Sequence, residues 1–159
     1  MKRQIMLAAG LMLAATSLQA DVVAPNDVVA NEYGEIAASL TGQAGNPQRG
    51  AEIMVSRAAG NCLACHQVSA LDEFAWHGEV GPSLDGVATR WDEAGLRGLI
   101  VNADVMFPDS IMPSFYRISG YTRPGDAYTG KAPEGELSPL LAAQDIEDVV
   151  AYLMTLTDY

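Results

Sequence analysis

The two cysteines of this chain, Cys62 and Cys65, fall within one eight-residue stretch, Gly60–Gln67, which reads GNCLACHQ, and His66 follows the second directly. No other feature limits the possible folds as sharply. A disulfide across three positions closes so small a loop that it removes little entropy from the unfolded chain, so a structural bridge is a poor explanation. A thioredoxin-like Cys-x-x-Cys pair needs a βαβ setting, and the sequence has no strand pattern of useful length. A zinc site would need a fourth ligand from His77 or a carboxylate, and no second metal-binding pair exists.

Cys-x-x-Cys-His is also the attachment signature of c-type haem. Two thiols add across the vinyl groups of the porphyrin, and the next residue, His66, is held beneath the ring where one nitrogen can ligate iron. The pattern therefore predicts one covalently bound haem c, with Cys62 and Cys65 as its anchors and His66 as the proximal iron ligand.

The amino terminus agrees with this chemistry. Lys2 and Arg3 precede an apolar run from Ile5 to Ala15, and Ser17-Leu18-Gln19-Ala20 offers a small residue before the first acid, Asp21. That is the pattern of a secretory signal peptide over residues 1–20. The run is shorter than the roughly 20 apolar residues of a membrane span. The expected setting is therefore an exported, periplasmic protein with no membrane insertion after cleavage. Cleavage would remove two positive charges and no acid, taking the formal charge from −11 to −13. So acidic a surface excludes nucleic acid as a partner class and suits a less acidic protein surface.

Residues 21–45 read as an N-terminal extension lying on the domain, and "VVANEYGEIAASL" within it as a short helix or an extended arm. The domain proper is expected over 46–159. Asn46 and Pro47 are a favoured cap and first-turn pair. They open a helix with Gly50, Ile53, Met54 and Arg57 at helical spacing and Gly60 as its stop. Asp92 can cap a second helix whose inner face carries Leu96, Leu99, Ile100 and Val101. The last helix has Ile146, Val149, Val150, Leu153 and Leu156 in register, with Asp145, Glu147 and Asp148 where the helix dipole favours acids. Its cap is poor, because Ala142 and Ala143 stand where Ser or Thr would help. Between these helices lie long irregular segments, including Gly120–Gly135, which in a small domain need something to organise them. The fold class is thus all-α: a few short helices and long loops wrapped around one haem.

A haem that carries electrons needs a sixth ligand, and methionine opposite histidine raises the reduction potential. Met54 and Met154 lie on helices among apolar neighbours, where packing explains them. Met106 and Met112 lie in the non-helical "VMFPDSIMPSFY", and Pro113 stiffens the chain after Met112. A lone His77 in a Gly-rich loop is better explained as solvated. Pro82, in the turn Gly81-Pro82-Ser83-Leu84, offers a carbonyl to the second imidazole nitrogen of His66, the kind of contact that fixes a ligating ring. Trp76, Arg90, Trp91 and Tyr116 could touch a porphyrin but suit core or surface equally, and none is assigned.

The order of these pieces resembles class I cytochromes c: a first helix with Gly50, then CLACH, GPSL, IMP and the terminal DVVAYLMTL. The resemblance implies the class I cytochrome c fold, a crossing of Gly50 against Tyr152, Pro82 as acceptor for the proximal imidazole, and Met112 as the distal iron ligand. A narrower likeness covers most of Asp21–Tyr159. "IAASLTGQAGNPQRGAEIMVSRAAGNCLACHQV", "IMPSFYR", "GYTRPGDAYTGKAP" and "QDIEDVVAYLMTL" are similar to the SoxX family, monohaem subunits of SoxAX complexes. The longer approach "APEGELSPLLAAQ" to the last helix departs from that pattern.

The resemblance implies an electron-accepting subunit of a heterodimer with a SoxA-like dihaem or monohaem cytochrome. Such a complex acts as an L-cysteine S-thiosulfotransferase, joining thiosulfate oxidatively to a cysteine of the SoxYZ carrier and passing electrons to a small cytochrome. Both cysteines here are committed to haem and no Ser/His/Asp grouping is evident, so this chain is not expected to be catalytic alone. The alternative is a free periplasmic electron-carrier cytochrome c serving an oxidase or reductase, which has no evident use for the N-terminal extension and the 120–135 loop.

Overall fold

The computed structural model describes residues 21–125 and 129–158, so the expected signal peptide lies outside the described residues. Three α-helices form: α1 (Pro47–Val55), α2 (Glu93–Asn102) and α3 (Ala143–Leu153), joined by short 3-10 turns and long loops. No strand occurs among the described residues, and no helix among them is long and apolar enough to cross a membrane.

Local chemistry starts each helix. The Asn46 side chain accepts from Arg49 N–H (3.1 Å) and Pro47 occupies the first turn of α1. Asp92 Oδ1 accepts from Gly95 N–H (2.9 Å) at α2. At α3, Ala142 cannot cap with its own side chain, but Asp145 reaches back and accepts from Ala142 N–H (3.1 Å), which satisfies one group of the weak start.

Helix α1 crosses α3 at close range. A Cβ at Gly50 would run into the Asp148 carbonyl and the Tyr152 side chain, and one at Gly45 would meet the Glu147 carbonyl and Ala151. Two glycines, one on each side of the cap, thus let the backbones touch. Ile53 and Met54 then bury against Ile146, Val149, Val150 and Leu153, and Leu96, Ile100 and Val101 of α2 complete the core. Of the face expected for α2, Leu99 is only half-buried.

Two expectations need correction. Helix α1 ends at Val55, before Arg57, with Ser56 as its cap. Gly60 instead closes a following turn, its N–H bonded to Ile53 O (3.1 Å), so that the chain folds back along α1. Residues 21–45 lie against the domain. Ile36, Leu40 and Thr41 are buried, Ile36 N–H bonds Ala94 O (3.0 Å), and Val23 N–H bonds Leu40 O (2.8 Å). The segment is irregular, with a 3-10 turn at Pro25–Asp27, a turn over 31–34 closed by Gly34 N–H to Asn31 O (3.0 Å) and a bend over 40–43.

The second correction concerns the acids of α3. Glu147 and Asp148 are buried rather than displayed at the helix start. Glu147 forms a two-point ion pair with Arg97 of α2, at 2.9 and 3.0 Å, and both side chains are about 5% exposed or less. Glu147 also accepts from Leu40 N–H (2.7 Å), while Arg97 donates to Ile36 O (2.8 Å). This pair ties the N-terminal segment to α2 and α3. Asp148 accepts from Asn46 N–H (2.8 Å) and Gln144 (2.9 Å), binding α3 to the start of α1.

Candidate haem site

The turn after α1 sets the attachment motif. Asn61 takes a left-handed conformation (φ 50°), which asparagine tolerates better than most residues. Cys62–Ala64 then forms one 3-10 turn, with Cys65 N–H and His66 N–H both bonded to Cys62 O at 3.1 and 3.0 Å. Helical winding puts residues i, i+3 and i+4 on one face, so Cys62, Cys65 and His66 are presented together.

Both cysteines are half-buried and no disulfide joins them. Burial pushes the Cys62 thiol up to about 12. A thiol so fully protonated is poorly suited to disulfide exchange or to binding a metal as thiolate. Among the described residues no three His, Cys, Asp or Glu side chains converge as metal ligands, which disfavours zinc.

His66 Nδ1 lies 2.7 Å from Pro82 O. A carbonyl can only accept, so Nδ1 carries the proton and Nε2 keeps its lone pair for iron. The contact expected of Pro82 is therefore made. Gly81 is essential to it, because a Cβ there would run into the imidazole ring. The turn is braced from outside. Arg90 donates to Ser83 O (2.9 Å) and Asp85 O (2.8 Å), and Leu84 N–H bonds Gln67 O (2.9 Å). Asp85 accepts from both the hydroxyl and the N–H of Ser69, each at 2.7 Å. Those two hydrogen bonds hold its carboxyl below the usual carboxylate range.

The methionines separate by environment. Met54 is fully buried in α1, and Met154 packs on the core after α3. Met106 is wedged between Gly34 and Gly98, where a Cβ at either glycine would strike its side chain. That contact holds the N-terminal segment against α2 and assigns Met106 to packing. Met112 is half-buried and packs against the hydrophobic core. Its segment is pinned after Pro113 by Ser114 Oγ–H to Asn102 Oδ1 (2.7 Å) and Phe115 N–H to Ile100 O (3.1 Å).

His77 is not merely solvated. Its Nδ1 accepts from Val68 N–H (3.2 Å) and its Nε2 donates to Leu71 O (3.1 Å), so neither nitrogen is left for iron. Of the four residues left unassigned from sequence, Arg90 braces the Pro82 turn. Tyr116 donates its hydroxyl to Val23 O (2.8 Å), Trp91 packs edge-on to Phe107 (6.3 Å), and Trp76 is exposed. Sequence reasoning missed the bracing by Asp85, Ser69 and Arg90. Their spacing carries no signature, because each contact is to a loop whose path is irregular.

Two thiols in one turn and an imidazole whose Nδ1 is already committed to Pro82 O fit a covalently held haem. Comparison with known proteins agrees. The cytochrome c family model matches residues 47–157. Among solved structures, the crystal structure of SoxXA from P. pantotrophus matches with a TM-score of 0.82 and 49% identity. The match covers 87% of this chain and 100% of that one. No curated protein sequence matches. The chain belongs to the cytochrome c family as a SoxX-type cytochrome with a covalently bound haem c.

Proposed function

We propose that this protein is the electron-accepting subunit of a periplasmic SoxAX-type complex, paired with a SoxA-like cytochrome. The complex joins thiosulfate to a cysteine thiol of a SoxYZ-type carrier. One sulfur–sulfur bond forms, the thiol proton is released, and two electrons leave. A haem supplies a one-electron acceptor, so the two electrons must depart in separate steps, onward to a small cytochrome. The observation that carries this reading is the 49% identity to a SoxXA chain along that chain's whole length.

This chain's own residues keep and tune the acceptor. Cys62 and Cys65 retain it outside the cytoplasm. His66 ligates through Nε2 while Pro82 O holds Nδ1–H, which raises the basicity of the ligand. Met112 would hold the iron through its thioether sulfur, a ligand that raises the potential. No thiol or nucleophilic grouping remains for the carrier chemistry, which is assigned to the SoxA-like partner.

A tagged copy of the protein purified from thiosulfate-grown cells should bring down a second, larger haem-staining chain in constant ratio. Recovery of the protein alone would refute the heterodimer and favour a free electron carrier. The buried N-terminal segment does not decide between the two, since packing within the domain explains it.

A further inference from the structure

The segment between the attachment turn and Pro82 plays no part in holding iron, yet it is firmly built. His77 commits both ring nitrogens to the backbone of its own loop. Gly78 N–H bonds Leu63 O (2.7 Å) and Gly81 N–H bonds Cys65 O (2.7 Å). A Cβ at Gly78 would overlap the Ala64 carbonyl, so the loop lies directly on the haem-attachment turn.

On this base the loop turns its apolar side chains outward. Trp76 is 87% exposed, Val80 65% and Phe74 42%. Trp76 also has φ 72°, a left-handed conformation that is strained for a bulky residue. A strained backbone that displays an indole to water gains nothing for the isolated domain. The surroundings are acidic: Asp72, Glu73 and Glu79 are exposed, and Asp72 and Glu79 line the same open groove as Phe74 and Trp76. No lysine or arginine occurs between Arg57 and Arg90.

We propose that the 72–80 loop is the docking surface for a basic electron-transfer protein, which seats an apolar pocket over Trp76 and sets lysines or arginines against Asp72, Glu73 and Glu79. The proposal rests on the electron-carrying reading above. Exposed tryptophan is the side chain most often found as an interface anchor, and an acidic rim steers a basic partner and excludes acidic ones. Two aromatic side chains, Phe74 and Trp76, sharing one groove with Asp72 and Glu79 fit a small, salt-sensitive contact, whereas a permanent subunit interface is larger and more apolar. Because the loop is bonded to Leu63 and Cys65, a partner on Trp76 arrives close to the haem-attachment turn.

The test uses the haem-loaded protein in the form in which it purifies, chemically reduced and mixed in stopped flow with oxidised basic mitochondrial cytochrome c as probe. At low salt, Trp76→Ala should slow the second-order electron transfer about tenfold, the loss expected for an interface anchor. The double variant Glu73→Gln, Glu79→Gln should slow it at low salt and flatten its salt dependence. Phe107→Ala, in the rival exposed group Val105, Phe107 and Ile111, should stay at the wild-type rate. Wild-type rates in Trp76→Ala together with an unchanged salt slope in the double variant would overturn the proposal. So would loss of rate in Phe107→Ala alone, or release of a larger haem subunit by Trp76→Ala, which would give the loop to the permanent interface. No thiosulfate or carrier enters this assay, so its failure is separate from failure of the function proposed above.

Discussion

Replacing Arg97 with leucine should be among the most damaging single changes in this domain outside the haem motif. Arg97 donates twice to Glu147 and once to Ile36 O, and the two charged side chains are 4% and 5% exposed. Without Arg97, the Glu147 carboxylate stays buried with Leu40 N–H as its donor, and the Ile36 carbonyl loses its side-chain donor. Removing one partner of a buried ion pair costs about 3–5 kcal/mol. With a urea dependence of about 2 kcal/mol per molar, the unfolding midpoint should fall by about 1.5–2.5 M. Urea titration of the oxidised protein, followed by far-ultraviolet circular dichroism, reads this directly. The double variant Arg97→Leu, Glu147→Leu removes both charges and should recover part of the loss. It still leaves the Ile36 carbonyl and Leu40 N–H unpaired, at about 1–3 kcal/mol each. A single-variant cost below about 1 kcal/mol, or a double variant equal to the sum of both singles, would refute a buried, coupled pair. Proteolysis should also cut the 21–45 segment sooner in Arg97→Leu, because the pair fastens that segment to α2 and α3.

Gly50→Ala should destabilise by about 1–3 kcal/mol in the same titration, since a Cβ there has no space between α1 and α3; an unchanged midpoint would mean the helices cross less closely. Met112→Leu should abolish the methionine–iron charge-transfer band of the oxidised protein and lower its reduction potential, whereas Met106→Leu should keep both. Gly81→Ala should press on the His66 ring and shift the potential measured by voltammetry, while intact mass still shows one covalent haem. Asp85 titrates below the ordinary carboxylate value because it is hydrogen-bonded when charged. Its stabilisation is therefore full above the unfolded carboxylate pKa near 4 and is lost as pH falls through the lower folded value. Asp85→Asn should flatten acid unfolding in that range only, and by a small amount because the group is partly solvated.

The site was more legible than the fold around it. Cys62, Cys65 and His66 are adjacent in sequence, so one turn of helix suffices to place them together. Pro82 was reachable because turn chemistry marks its segment and the resemblance to class I cytochromes c gave its carbonyl a role. The caps at Asn46 and Asp92 and the apolar stripe of α3 follow from local rules. What escaped depends on distance along the chain. Arg97 and Glu147 each look like surface charges on an amphipathic helix until tertiary packing brings them together. Ile36 and Leu40 sit in a segment without periodicity, so their burial left no pattern. His77 looked free because the Val68 N–H and Leu71 carbonyl that it binds are backbone groups, which a sequence does not distinguish. Gly45 lies outside any helix, yet it shares with Gly50 the contact that fixes the crossing of α1 on α3.

The most direct test of the central claim is the redox state of this protein's haem during turnover. The oxidised complex is mixed rapidly with thiosulfate and a SoxYZ-type carrier bearing its reduced cysteine, and absorbance follows reduction. The account predicts that this haem becomes reduced only when thiosulfate and carrier are both present, at the rate at which the carrier gains thiosulfate mass. Carrier modification at full rate while the haem stays oxidised, with no downstream acceptor present, would contradict it.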